Sequence, residues 1–402
     1  MRKHFAFVTL AASGHVNPTL PLVEELVRRG HRVSYATDHF MIPAVEAAGA
    51  TAVPFPEAPE DLHGPQANIK FTSGMLFRFL DHLLTEAQRT LPSLLTHFGQ
   101  DRPDAICFGI AGFNGRVLSE KLGISGIALI PSFAANENFS LMDDFISEMS
   151  DHQPPELLEF KSNLRAFNEE YGLNIDLGSM RKAVAPLNLV FVPREFQIAG
   201  DTFNDRFRFL GPSLRQEVVG NWRTPSSNIP LLFISLGTVF SSNPAFFQMC
   251  FEAFGGSDWQ VAMAIGKHVD RDSLGKVPAN FQLLPHFPQL AVLKQTKVFL
   301  SHCGMNSTME SLYFGVPLVG VPQMPEQEAN ARRVEELGLG RRLNTAEITA
   351  ELLRSTVDEV SQDTQISQNL ARMSEIIHSC GGAPAGADAI ENYLLSRQEA
   401  ID

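Results

Sequence analysis

Apolar residues along the chain fall into short continuous runs, and the stretches between them repeat at helical spacing. This is the pattern of parallel strands buried on both faces and alternating with amphipathic helices. Residues 4–10 form the first such run. Asn17-Pro18 then starts a helix with Pro at its first position; Leu22, Val23, Leu26 and Val27 line one face, and Gly30 stops it. Residues 31–36 are the second strand, which completes a βαβ unit. The alternation continues with a strand over 105–110, a helix over 116–122 and a strand over 126–130. A second series has strands at 231–236, 260–265, 298–301 and 318–321. The predicted fold class is therefore α/β, in two similar halves.

Between the two series, residues 211–230 turn to Pro, Ser, Asn, Gly and Arg with little periodicity, which marks a linker. The expected organisation is a first domain over 1–210, a second over 231–385, and a C-terminal segment, 386–402. Its helix, about 387–397, is expected to pack back on the first domain. A chain of 402 residues exceeds what one hydrophobic core usually serves.

Charge narrows the partners. With 32 Lys and Arg against 45 Asp and Glu the net charge is −13, and no basic block concentrates a positive field. Nucleic acid and acidic membrane surfaces are disfavoured. The opening Met1-Arg2-Lys3 and the apolar run after it have the charge order of a signal peptide, but Thr9 interrupts the run and Ser13-Gly14-His15 ends it, so a buried strand is expected. No apolar stretch reaches the length of a membrane helix. Cys107, Cys250, Cys303 and Cys380 are scattered without metal or disulfide spacing, which suits reduced thiols and a cytoplasmic location.

Phenylalanine is the compositional outlier, 30 residues against 4 Tyr and 2 Trp. Phe71, Phe77, Phe79, Phe133, Phe139, Phe145 and Phe160 lie in stretches that interrupt the α/β repeat. Core packing and an apolar pocket for a small molecule both account for them.

The chemistry concentrates where the strand 298–301 runs into His302-Cys303-Gly304-Met305-Asn306-Ser307 and then a helix. A strand feeding a Gly turn and a helix N-terminus binds anions, because unpaired N–H groups and the helix dipole converge there. A phosphate ester fits. Ser307-Thr308-Met309-Glu310 also matches an S-x-x-E capping box, which needs no ligand.

The longer pattern joins His286-Phe287-Pro288-Gln289 to that turn, to Glu310, to Gly315-Val316-Pro317 and to Glu326-Gln327. With Gly14-His15-Val16-Asn17-Pro18, Ser235-Leu236-Gly237-Thr238 and Trp259, it resembles family 1 glycosyltransferases of the GT-B fold, particularly the bacterial macrolide glycosyltransferase group. The resemblance implies two Rossmann-like domains facing across a cleft, the first binding the acceptor and the second the nucleotide sugar. It implies a nucleobase against His286 and the Phe287 backbone, ribose hydroxyls on Gln289 and Glu310, and a diphosphate held by Thr238, His302, Gly304, Asn306 and Ser307. Glu326 and Gln327 would contact the sugar. The implied co-substrate is UDP-glucose, with Gln327 matching the glucose-reading amide, and no metal or other cofactor is required. Asp270-Arg271-Asp272 has the D-x-D form that holds a metal-nucleotide in another glycosyltransferase fold, but its polar surroundings read as a solvated loop.

In this family the histidine matching His15 is the general base, a task suited to imidazole. Its usual aspartate partner aligns with Gly109 and is missing. Three readings stay open: Glu137, the first choice, Asp143 or another acid from the acceptor region orients His15; the base works unaided; or catalysis is slow or lost. The expected reaction is inverting transfer of a hexose to a hydroxyl of a small apolar acceptor, a macrolide, polyketide or phenolic, bound at Phe71, Phe77 and Phe133. A noncatalytic glycosyltransferase-like partner protein and a sugar-nucleotide epimerase are the rivals.

Overall fold

The computed structural model describes residues 2–57, 73–143, 154–178, 185–215, 222, 229–237, 244–267 and 269–399. The chain divides into two compact units: the first runs to Arg215 and takes in the chain again from Cys380, and the second holds the residues between.

The strands of the first unit are β1 (His4–Val8), β2 (Arg32–Thr37), β3 (Thr51–Pro54), β4 (Ala105–Gly109), β5 (Ser125–Ile130), β6 (Leu187–Val190) and β7 (Phe207–Phe209). All pair in parallel, in the order β3-β2-β1-β4-β5-β6-β7. β1 and β4 are buried along their whole length, as their unbroken apolar runs require. The helices are α1 (Ser13–Val16), α2 (Leu20–Arg28), α3 (Ile42–Ala47), α4 (Ser73–Gln100), α5 (Phe113–Leu122) and α6 (Pro155–Tyr171).

In the second unit β8 (Leu231–Ser235), β9 (Gln260–Ala264), β10 (Phe281–Leu284), β11 (Thr296–Ser301), β12 (Leu318–Gly320) and β13 (Gly340–Arg342) form a parallel sheet in the order β10-β9-β8-β11-β12-β13. Its helices are α7 (Pro244–Phe254), α8 (Gln289–Leu293), α9 (Met305–Tyr313), α10 (Pro325–Glu336), α11 (Ala350–Gln362) and α12 (Thr364–Ser379). Counting strands within each unit, both sheets run 3-2-1-4-5-6, the doubly wound order, with a seventh strand added to the first. In that order the connections leave the central pair in opposite directions, opening a crevice at the carboxyl ends of β1 and β4, and of β8 and β11.

The last helix, α13 (Gly382–Glu399), belongs to the first unit. Ala387, Ile390 and Leu394 enter the same core as Leu22, Leu26 and Leu210. A Cβ on Gly386 would stand 3.0 Å from Leu210 and 3.1 Å from Leu22, so a glycine there lets the helix lie close. A polar seam borders this packing: Arg29 pairs with Asp388 at 2.6 Å and Glu391 at 2.7 Å. His31 Nδ1 accepts the Lys3 N–H, so its proton sits on Nε2, 2.8 Å from Glu391.

The phenylalanines give mostly core contacts. Phe77 is buried against Phe160 with ring centroids 6.1 Å apart, and Phe133 stacks on Phe196 at 5.7 Å. Phe79 is exposed and Phe139 half-buried, while Phe71 and Phe145 lie outside the described residues. The Asp270-Arg271-Asp272 triplet is an exposed turn in which Asp270 accepts the Asp272 N–H at 3.0 Å.

Candidate active site

In the first unit the crevice is occupied by the segment after β1. The loop expected at His15 is wound into one helical turn, with His15 N–H and Val16 N–H both donating to the Ala12 carbonyl at 2.8 and 2.9 Å. Both flanks of this turn are tied to one buried phenol. Thr19 Oγ1 donates to the Val16 carbonyl at 2.8 Å, so it accepts from Tyr35 Oη at 2.8 Å, and Tyr35 in turn accepts from Thr9 Oγ1 at 2.9 Å. Sequence reasoning missed Tyr35, because nothing in β2 distinguishes a core tyrosine from one that anchors a neighbouring loop.

His15 is half-buried as a residue, but its Nδ1 is sealed from water and has no hydrogen-bond partner among the described residues. Burial lowers its pKa to about 4, with no neighbouring carboxylate acting against the shift. Glu137 stands exposed in the loop after β5, and Asp143 ends a turn closed on the Ser140 carbonyl at 3.0 Å; neither is hydrogen-bonded to His15 Nδ1.

Gly109 ends β4 beside Thr9 of the β1 side, and a Cβ there would meet Thr9 at 3.4 Å, an ordinary contact. Gly109→Asp is therefore expected to fit. If the new carboxylate pairs with His15, it should raise the acid limb of the kcat/KM profile by about one to three pH units, because a nearby anion favours imidazolium. An unmoved limb in a folded variant would show that position 109 does not reach His15.

The second unit has a corresponding crevice where β8 ends at Ser235-Leu236-Gly237 and β11 runs into His302-Cys303-Gly304. The His302 imidazole is wedged between two glycines: a Cβ on Gly237 would come within 2.6 Å of Nε2, and one on Gly304 within 2.5 Å. Burial lowers its pKa to about 4, with a hydrogen bond to the Ser235 main chain acting the other way. The ring is therefore neutral at neutral pH, so it meets a ligand as an uncharged hydrogen-bonding group. Gly237→Ala adds both the clash and a side chain at φ +78°; if the nucleotide diphosphate that the resemblance implies docks here, the variant should weaken UDP binding about tenfold by titration calorimetry.

Helix α9 starts at Met305 with Gly304 as its N-cap, a residue with no side chain to cap it. The S-x-x-E capping box is thereby overturned: Ser307 is already inside the helix, and its Oγ accepts from Gln289 Nε2 at 3.1 Å. The same Gln289 amide donates to Glu310 at 2.5 Å, so three predicted donor residues meet in one cluster. Asn306 lies in the first turn of α9. His286 is exposed beside them, and Phe287 is buried edge-on to Trp222 at 5.5 Å and Phe233 at 5.8 Å. Trp222 falls in the aperiodic stretch read as linker, so sequence gave no signal for it.

Glu326 and Gln327 occupy the first turn of α10, with Gln327 buried and accepting the Gln323 N–H at 2.9 Å. Thr238 lies outside the described residues. No group of three or more His, Cys, Asp or Glu able to hold a metal occurs among the described residues, and no described helix is long and apolar enough to cross a membrane.

Residues 214–384 match the family model described as UDP-glucoronosyl and UDP-glucosyl transferase. The NDP-glycosyltransferase YjiC of Bacillus licheniformis is 40% identical, covering 98% of this chain and 98% of its own. The oleandomycin glycosyltransferase of Streptomyces antibioticus is 31% identical over 98% of this chain and 92% of its own. The crystal structure of a calicheamicin glycosyltransferase superposes with a TM-score of 0.86 at 31% identity, over 98% of both chains. These comparisons do not favour the partner-protein or epimerase readings. With full-length identity of this order and two doubly wound sheets, the chain belongs to the UDP-glucoronosyl and UDP-glucosyl transferase family and is a glycosyltransferase of the GT-B fold.

Proposed function

We propose that the protein transfers a hexose, glucose first among the candidates, from a UDP-sugar to a hydroxyl of a small apolar natural product, with inversion. The observation that carries this reading is the glycine-capped N-terminus of α9 beside the buried, neutral His302 ring, with Gln289, Ser307 and Glu310 clustered alongside. The amides at the head of α9 and His302 would take the diphosphate. As the bond from the anomeric carbon to the phosphate oxygen breaks, its electron pair passes to the diphosphate, and preorganised N–H groups stabilise that charge without a metal. The ribose would hydrogen-bond to Gln289 and Glu310, and the sugar to Glu326 and Gln327.

His15 is the base in this scheme. With Nδ1 sealed, Nε2 is the atom that can take the acceptor proton as the oxygen attacks the anomeric carbon. Nδ1 carries a proton before and after the transfer; burial of the ring, which disfavours the charged form, is the physical reason for its low basicity. The polar turn at His15 and the many buried phenylalanines of the first unit suit an apolar acceptor held by one hydroxyl, and a cytoplasmic enzyme fits the reduced thiols.

The test incubates the protein with UDP- and dTDP-sugars and a panel of hydroxylated aglycones, following nucleotide release and product mass. Acceptor-dependent UDP release with a product heavier by one hexose supports the reading. Intact UDP binding without transfer to any aglycone would return the noncatalytic partner protein, and preference for dTDP-sugars would overturn the donor assignment alone.

A further inference from the structure

The turn that carries His302 and Gly304 is held in a conformation its sequence disfavours. Cys303 has φ +59°, the left-handed region, and is one of two non-glycine residues there among the described residues. For an L-residue with a Cβ this conformation is disfavoured by about tenfold or more in population. Its conformation sets the direction of the peptide joining it to Gly304, at the head of α9.

Two polar contacts hold it. Ser301 Oγ accepts the Cys303 N–H at 3.1 Å, and Asn330 Nδ2 donates to the Cys303 carbonyl at 2.9 Å. The Cys303 side chain lies over Gly320 of β12, where an added Cβ would stand 2.8 Å from Sγ. Asn330 is fully buried, and its Oδ1 is buried with no hydrogen-bond partner. A core position that leaves an amide oxygen orphaned is costly, so the single bond it makes must return something. A buried hydrogen bond is worth about the same tenfold factor as the strain, so this contact is large enough to decide the conformation of residue 303.

We propose that Asn330 is a positioning residue for donor binding: from α10, one turn beyond Glu326 and Gln327, it clamps the Cys303 carbonyl and locks the His302–Gly304 turn for the pyrophosphate. It thereby couples the helix read as sugar-binding to the turn read as phosphate-binding. The inference rests on the proposed diphosphate site and would fail with it.

The experiment is calorimetric titration of UDP into the full chain. Asn330→Leu keeps the forked side-chain shape and removes both the donor and the orphaned oxygen. It is expected to raise the UDP Kd about tenfold while the melting temperature changes little, loss of the orphaned oxygen offsetting the Cys303 carbonyl left without its partner. Glycine adopts φ +59° without penalty, so in a Cys303→Gly background the same substitution should raise Kd less than threefold. An unchanged Kd in Asn330→Leu, or an equal loss in both backgrounds, overturns the clamp. His302→Ala is titrated in parallel: if it too binds UDP normally, the diphosphate reading itself has failed, whereas loss in His302→Ala with no loss in Asn330→Leu refutes the clamp alone. Should Asn330→Leu not fold, Asn330→Ala takes its place in the same cycle.

Discussion

His15→Ala is expected to lower kcat by about 10²- to 10⁴-fold, the usual worth of a positioned general base, while UDP binding stays unchanged. The two readouts separate because His15 lies in the first unit and the proposed nucleotide site in the second. A pH profile adds a sharper expectation. The base must be neutral to accept a proton, so activity falls as pH drops through its pKa. With that pKa lowered to about 4, kcat/KM should stay flat from pH 7 to about 5, well below where an ordinary histidine would lose function. An acid limb near 6.5 in kcat/KM that disappears in His15→Ala would mean that the imidazole of the free enzyme keeps its ordinary basicity, against the burial described above. Unchanged kcat in His15→Ala would remove the base assignment altogether.

His302→Ala is expected to lower kcat/KM for the nucleotide sugar by about 10²- to 10³-fold, as when one preorganised donor to a developing anion is removed. It should also weaken UDP binding and leave the acceptor KM alone. The size follows from the wedge between Gly237 and Gly304: the ring's position is fixed by backbone on two sides, so no neighbouring side chain can swing in to replace it. Steady-state kinetics with the donor varied, beside UDP titration, decides it. Normal UDP affinity in a folded variant would place the diphosphate elsewhere.

Sequence pattern finds the middle of each sheet and misses the rim. The buried strands β1, β4, β8 and β11 read directly as apolar runs, but β3, β7, β10 and β13, the four sheet edges, gave no signal. Edge strands are short and partly solvated, as the single buried residue of Thr51–Pro54 and the Gly-Arg-Arg of β13 illustrate. The interior strand Leu187–Val190 was missed for another reason, Pro186 and Asn188 breaking up its apolar run. The turn from His302 to Ser307, proposed above for the diphosphate, stands out in the sequence because its residues are contiguous and their types suit an anion. Asn330, Tyr35 and Trp222 act through contacts with partners 16 to 65 positions away, which one-dimensional spacing cannot reveal. The pKa of His15 is likewise a property of burial, invisible in the motif that carries it.

The placement of α13 bears on how the chain reaches its native state. A ribosome delivers residues 2–215 long before 382–399, yet Leu22, Leu26 and Leu210 stay partly uncovered until Ala387, Ile390 and Leu394 emerge. The N-terminal unit therefore waits, incomplete, while the whole C-terminal unit is synthesised and can fold. Emergence of this one helix, rather than translation of the unit's own strands, is the event that closes its core.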